Sequence, residues 1–297
     1  MILAPNLQPD QQAALWDDHV AVYEAVFEPL TTAFGRAALD LLAVADGARI
    51  IDIGAGSGGM ALLAQGRGVD VLAVDASERM VARIRARAEE AGNRTGRIRA
   101  EVMDGTALTL PDDSFDAATS VFGVILFPDA GQGIREMARV VKPGGSIAVV
   151  TWTETERYEL ATRLLDAIAA VRGPQPPTSS MPAQLRFCDP AALQDLLASA
   201  GLEVNSITRL EQQWRLPSAA WIAANIAFAP GLAAMIRGLG TDRDAVLRYF
   251  VSGLERDQGR GEIALSAVAH VGIGVKQEPA EKMTGVDVTN SRLPTNS

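Results

Sequence analysis

Apolar positions near the start of the chain recur at three- and four-residue steps: Leu15, Val22, Val26 and Leu30, then Ala38, Leu41 and Leu42. That spacing predicts helix, and Pro29, which cannot sit inside one, divides the stretch in two. The period then changes. Residues 48–53 are short, β-branched and stopped by glycine, the pattern of a buried strand. A short helix is expected at 60–65, a strand at 69–74, and a helix at 77–91 with Ser77 as N-cap and Gly92 as its stop. Strands follow at 98–102 and 115–121, then a helix at 133–141 and a strand at 146–152, with Pro143-Gly144-Gly145 read as the turn between these two. Strands separated by helices of this length predict an α/β fold, a parallel sheet covered on both faces.

Beyond Trp152 the rhythm loosens. An amphipathic helix is expected at 156–171, and residues 173–182, rich in proline, read as a loop. Asp189-Pro190 opens a helix that ends by Gly201. A strand at 203–210 and a last one within 263–275 flank a helix-like stretch, 211–262. The uncharged run between Arg215 and Arg237 approaches membrane-spanning length, but Asn225 and Pro230-Gly231 break it, so it reads as two buried helices with a turn at the Pro-Gly pair. The expected organisation is a helical lid over 1–46, an α/β domain over 47–276 with a helical insertion at 211–262, and a disordered tail at 277–297.

Composition narrows the partners. The 297 residues carry 27 Lys and Arg against 36 Asp and Glu, a net charge of −9. Such a chain gains no general attraction to phosphate backbones, so neither a nucleic acid nor a membrane is expected as partner. Cys188 is the single cysteine, which rules out an intramolecular disulfide and a cysteine-rich zinc site. The first ten residues lack a basic start followed by an apolar run, and a cytoplasmic location is expected. Only Lys142, Lys276 and Lys282 are lysines. The bias to arginine and alanine suggests a GC-rich bacterial gene.

The chemistry concentrates in Asp52-Ile53-Gly54-Ala55-Gly56-Ser57-Gly58-Gly59, at a strand end and before a helix. Glycines there let the backbone turn sharply and meet a ligand with no Cβ in the way, and the amides of the helix start favour a polar or anionic group. Gly54, Gly56 and Gly59 satisfy the G-x-G-x-x-G dinucleotide pattern, and Asp75 lies 21 residues after Gly54, near where a ribose-binding acid falls. Three features argue for a different ligand. Asp52 stands inside the strand, two residues before the first glycine, where a pyrophosphate cradle has no use for a carboxylate. Met103-Asp104-Gly105 places a second acid at a sheet end, able to accept from an exocyclic amine. Some forty residues of helix precede the first strand, enough for a cover. Together they ask for a ligand with an amino group, a ribose and an adenine but no phosphates, and S-adenosylmethionine is such a ligand.

From about Trp16 to Gly201 the sequence also resembles the class I S-adenosylmethionine-dependent methyltransferases, in the group that includes the ubiquinone/menaquinone-biosynthesis type and other small-molecule enzymes. The resemblance rests on the 52–59 loop, Val74-Asp75-Ala76-Ser77 with Met80, Met103-Asp104, Asp113-Ser114-Phe115-Asp116, and Arg139-Val140-Val141-Lys142-Pro143-Gly144-Gly145, in that order and spacing. It implies a three-layer Rossmann-like fold with a seven-stranded, mostly parallel sheet whose last strand, within 267–275, is antiparallel. It implies that the backbone at Gly54 and Gly56 lies against the methionine part of the cofactor, with Asp52 shaping the loop or reaching the amino group through water. Asp75, beside Ala76, would bind the ribose, and Asp104, beside Gly105, the adenine amine, with Met80 and Met103 packed on the ring. Val121, Phe122 and Gly123 would stand beside the transferred methyl.

Methyl transfer from a sulfonium needs alignment and exclusion of water more than catalytic groups. Trp16, His19, Tyr23 and Phe27 share one helix face. His19 can accept a proton at neutral pH, and Tyr23 occupies the place of a tyrosine that in the family often lies near the methyl donor. Both are candidates to act on the substrate, and packing alone would also explain the stripe. Trp16, Phe27, Phe122, Trp152 and Trp221 are candidate substrate contacts, and Trp221, Phe228 and Tyr249 suggest an apolar enclosure. The expected acceptor is a small, aromatic or polyketide-like metabolite methylated on oxygen or carbon, nitrogen staying open; no metal is expected. Two rival readings stand beside this one: an NAD(P)-dependent oxidoreductase, and a non-catalytic S-adenosylmethionine-binding protein.

Overall fold

The computed structural model describes residues 7–92, 96–174 and 181–278. Its N-terminal stretch folds as α1 (Ala13–Trp16), α2 (Val20–Val26) and α3 (Glu28–Leu42). Pro29 sits in the first turn of α3, where its missing N–H costs nothing, so the proline starts a helix as well as dividing two.

The alternation that follows is β1 (Arg49–Ile53), α4 (Gly59–Gln65), β2 (Asp70–Asp75), α5 (Glu78–Ala91), β3 (Ile98–Val102), β4 (Phe115–Val121), α6 (Ala130–Val140) and β5 (Val141–Trp152). Ser77 caps α5 as expected, its side chain accepting from the Met80 amide, and Gly92 ends it at φ +64°. One reading is corrected. Pro143-Gly144-Gly145 does not interrupt the chain between helix and strand, because β5 already starts at Val141 and runs through it. Pairing with β4 jumps there from Phe115–Val141 to Ala117–Ser146, so the segment is an irregularity within the ladder, with Gly144 at φ +78°.

The second half contributes α7 (Glu159–Arg172), α8 (Pro190–Ala198), β6 (Leu202–Leu216), α9 (Ala219–Ala224), α10 (Pro230–Gly238), α11 (Arg243–Gln258) and β7 (Ile263–Lys276). Strand β6 runs six residues beyond the expected 203–210, taking residues 211–216 from the presumed helical insertion. Pro230 opens α10, so the turn falls just before the Pro-Gly pair. The loop over 173–182 and the tail from 277 lie largely outside the described residues.

All seven strands form one sheet in the order β3-β2-β1-β4-β5-β7-β6. β1 to β5 are parallel, and β7 runs antiparallel to both β5 and β6. Helix α3 lies against α4 and across β4 to β7, while α6 and α8 pack on each other and on β5, β6 and β7. The strand order reverses between β1 and β4, and in open α/β sheets the crevice beyond the strand ends at such a point is where ligands bind. No helix among the described residues is long and apolar enough to cross a membrane.

Candidate functional site

The glycine loop lies at that reversal. Gly54, Gly56 and Gly58 take φ of +71°, +55° and +95°, the left-handed region that only glycine enters freely. The amides of Gly54 and Ala55 both donate to the carbonyl of Val74, at 2.9 and 3.0 Å, fastening the loop to the end of β2. A Cβ on Gly54 would lie 2.9 Å from the Cα of Gly123, and one on Gly56 would lie 3.2 Å from the Tyr23 ring. Gly59 is needed for another reason. A Cβ there would sit 2.8 Å from the Glu28 side chain and on top of the Thr32 hydroxyl, so residues of α3 fill the space that its missing side chain leaves.

Three acids stand at successive strand ends. Asp52 is buried in β1; Oδ1 accepts from the Thr119 hydroxyl at 2.8 Å, while Oδ2 is buried without a partner. Among the described residues it neither caps a helix nor pairs with an arginine. Burial drives its pKa up to about 7, against the Thr119 hydrogen bond, and the charge of Asp75 adds to the rise. At the end of β2 the Asp75 carboxylate accepts from the amides of Gly56 at 2.8 Å and Ser77 at 2.9 Å. Burial pushes it up to about 6, those amides and that of Ala76 pull it back, and the Asp17 charge adds to the rise. Each Asp75 oxygen keeps acceptor capacity beyond the one bond drawn to it. Asp104 is exposed, and its Oδ1 accepts from the amide and hydroxyl of Thr106, at 2.8 and 2.7 Å. Met103 is half-buried beside it, Met80 is buried under the start of α5, and Gly105 is closed off by the Phe127 ring.

The N-terminal segment covers this row. Its rings form a ladder: Trp16 meets Tyr23 edge-on at 5.8 Å, and Tyr23 meets Phe27 at 5.8 Å. Phe27 stacks on Phe228 at 4.7 Å and lies 6.0 Å from Trp152, which stacks on Phe122 at 3.9 Å. Tyr23, Glu28, Thr31, Asp52, Gly54 and Val121 border a narrow recess of about 20 Å³, where one water takes roughly 10–15 Å³. The Tyr23 phenol is pushed well above its ordinary range, chiefly by burial and further by the charges of Glu28, Asp75 and Asp52, so it stays protonated. His19 points its Nδ1 at the Leu15 carbonyl, 2.7 Å away; since a carbonyl only accepts, that nitrogen holds the proton.

Trp16, Tyr23, Phe27, Phe122 and Trp152 therefore belong to one ring cluster, reaching from the glycine loop to the end of β4. Phe122 itself takes φ +59°, an unusual backbone for a bulky residue and a mark of local strain where β4 ends. Trp221 is half-buried on α9 and joins no ring of this cluster among the described residues. Tyr249 is 49% exposed on α11, so it does not enclose a pocket.

Several participants went unread in the sequence. Trp214 on β6 donates its indole N–H to the Val26 carbonyl at 3.0 Å and meets Phe27 at 5.8 Å. Asp17 accepts from the Ser77 hydroxyl at 2.5 Å and the Arg79 amide at 3.2 Å, at the start of α5. Asp10 accepts from the Gly231 amide at 2.7 Å, at the start of α10. Glu28 is buried against the glycine loop. Each bond joins residues far apart in the chain, and only the acidic character of Glu28 beside Pro29, a helix-start pattern, carried a local signal.

Comparison with known proteins agrees with this geometry. Residues 50–145 match a family model described as a methyltransferase domain. A ubiquinone/menaquinone biosynthesis C-methyltransferase of Geobacter sulfurreducens is 43% identical over 91 residues, which is 30% of this chain and 34% of that protein. A demethylmenaquinone methyltransferase of Corynebacterium kroppenstedtii is 54% identical over 46 residues, 16% of this chain and 20% of that protein. The chain thus spans about a third and a fifth of the length of these two curated relatives. Among solved structures, the [4+2]-cyclase SpnF aligns at TM-score 0.59 and 19% identity over 92% of this chain and 98% of that one. The YcgJ protein of Bacillus subtilis aligns at TM-score 0.53 and 21% identity, over 84% and 100%. At such identities these two speak for the fold. Motif, topology and the family match converge on residues 50–145, which are similar to a methyltransferase domain and, over part of it, to the ubiquinone and menaquinone C-methyltransferases.

Proposed function

We propose that the chain transfers the methyl group of S-adenosylmethionine to an oxygen or carbon atom of a small aromatic or polyketide-like metabolite. The N-terminal helices would act as the lid of the pocket. The observation that carries the cofactor is the unpaired, buried Oδ2 of Asp52. A buried carboxylate oxygen without a donor is costly, and a cationic amino group supplies the donor. Asp75 has capacity left for ribose hydroxyls, and the exposed Asp104 for an amine, so the residues present fit the group. The dinucleotide reading fits less well, because Glu28 and Thr32 already fill the space beside Gly59 and a carboxylate there repels phosphate.

When bound, S-adenosylmethionine supplies an activated methyl on a sulfonium sulfur. The chain then has three tasks. The glycine loop and the acids fix the donor, the rings around Phe27, Phe122 and Trp152 hold a flat apolar acceptor, and the N-terminal helices keep water out. Tyr23, protonated and over Gly56, is placed to orient rather than to take a proton. His19, with Nε2 not used by the Leu15 contact, is the group available as a base, a role worth roughly 10²- to 10⁴-fold where the acceptor must lose a proton.

Fold alone does not decide for methyl transfer, since one structure of like fold is named a cyclase. The experiment is calorimetric titration with S-adenosylhomocysteine and, separately, with reduced nicotinamide dinucleotide. Labelled methyl transfer to phenols, quinones and amines follows. Binding of the first ligand alone and label in a phenol or quinone are expected. Binding of the dinucleotide alone overturns the reading, and binding without transfer to any acceptor leaves a cofactor-binding protein.

A further inference from the structure

We propose that Glu28 and Arg87 are a positioning pair that sets the cofactor loop from outside the glycine motif; this deepens the cofactor reading above and rests on it. Glu28 starts α3 and is 7% exposed. Its carboxylate accepts from the Ser57 hydroxyl, from the Gly59 amide at 3.1 Å, and from Arg87 at 2.7 Å. Arg87, on α5, also donates to the Ser57 carbonyl at 2.9 Å. One acid and one arginine therefore hold the side chain, the carbonyl and the following amide of the 57–59 segment, and three helices meet at the loop's exit. Glu24 stands 3.8 Å from Arg87 and is otherwise engaged by Arg83 at 2.7 Å.

The anchoring reaches the ligand face. Gly56 is the residue before this clamp, with the Tyr23 ring on one side and its amide on Asp75. Releasing Ser57 and Gly59 frees the turn that presents the Gly56 amide and the ring, so the ligand has to order the loop itself and binds more weakly. The glycine at 59 is part of the same device: a larger residue would displace Glu28.

The test is S-adenosylhomocysteine affinity by calorimetry, with circular dichroism to confirm folding. Glu28→Ala and Arg87→Met are each expected to weaken binding about tenfold or more, since each removes a charged hydrogen-bonding partner of the loop. Glu28→Gln, which keeps an acceptor for Ser57 and Gly59, is expected to weaken it less. Loss of the pair is expected to be non-additive, the double variant Glu28→Ala/Arg87→Met binding no worse than the weaker single. Arg83→Met is the control. It breaks an ion pair between α5 and the neighbouring α2 that does not touch the loop, and affinity is expected within about twofold of wild type. Should Glu28→Ala not fold, Glu28→Gln and Arg87→Met carry the test. Wild-type affinity in the folded variants overturns the proposal, as does equal weakening by Arg83→Met, which would make the effect one of lid attachment. A wild-type protein that binds no S-adenosylhomocysteine overturns this proposal and the cofactor reading together. Binding by wild type with unchanged variants overturns this one alone.

Discussion

Asp52 lies in β1 with one oxygen unpaired, and that has consequences in both states of the protein. Its pKa, about 7 when folded, exceeds the ordinary carboxylate value, so the folded state holds the proton more tightly than the unfolded one. The stability this confers is complete at low pH and is lost as pH rises through 7. Asp52→Asn is therefore expected to raise the melting temperature at pH 8, with the difference vanishing near pH 4; each unit of such a shift is worth about 1.4 kcal/mol. Ligand affinity runs the other way. The carboxylate must be ionised to pair with an amino group, so S-adenosylhomocysteine should bind more tightly at pH 8 than at pH 6 in the wild type, and with a smaller pH dependence in Asp52→Asn, where Asp75 still titrates near 6. A flat wild-type profile would separate Asp52 from the amino group. At Asp75, replacement by Ala should weaken binding by about 1–3 kcal/mol, the scale of a lost acceptor in a buried site, and unchanged affinity would remove it from the site.

At the scale of elements, the informative junction is α3 against α4. Gly59→Ala would drive a methyl onto Thr32 and Glu28, and overpacking of this kind costs about 1–3 kcal/mol; chemical denaturation measures it, and a neutral result would mean that α3 yields easily. Local pattern made much of the sheet legible. β3, at the edge of the sheet, and β4, in its buried middle, fall on the expected residues because each is bounded by turn residues. The pattern failed where local chemistry and long-range pairing disagree. Pro143-Gly144-Gly145 has the composition of a turn, yet pairing with β4 is made before it at Val141 and resumes after it at Ser146, where β7 also joins, so the strand runs on through an irregularity. The end of β6 alternates Gln213 and Arg215 outward with Trp214 and Leu216 buried, but its polar content read as helix. The acids at strand ends were legible because the motif lies within a few residues. Glu28, Asp17 and Asp10 were not, because their partners are 31, 60 and 221 residues away.

The part of the proposed lid that precedes α2 is held to the rest of the molecule at three separate places. Gln8 accepts from the Ala183 amide at 2.8 Å, Asp10 accepts from the first turn of α10, and Asp17 accepts from the first turn of α5. With the recess so narrow, a ligand that reaches the loop must first displace some of this segment. Asp10 is the latch to cut, because α10 has no side-chain N-cap of its own and burial raises the pKa of Asp10. Asp10→Ala loses one helix-start acceptor, about 0.5–2 kcal/mol. If the latch is closed in the free and the bound protein alike, that loss lowers the cost of opening without favouring either state. Association and release of S-adenosylhomocysteine should then quicken together, by roughly two- to thirtyfold on the same scale, at nearly constant equilibrium affinity. Stopped-flow fluorescence of the Trp16 and Trp152 region measures both rates. A change confined to release would mean that Asp10 stabilises the bound state only, and the segment would then be part of the binding site instead of a cover over it.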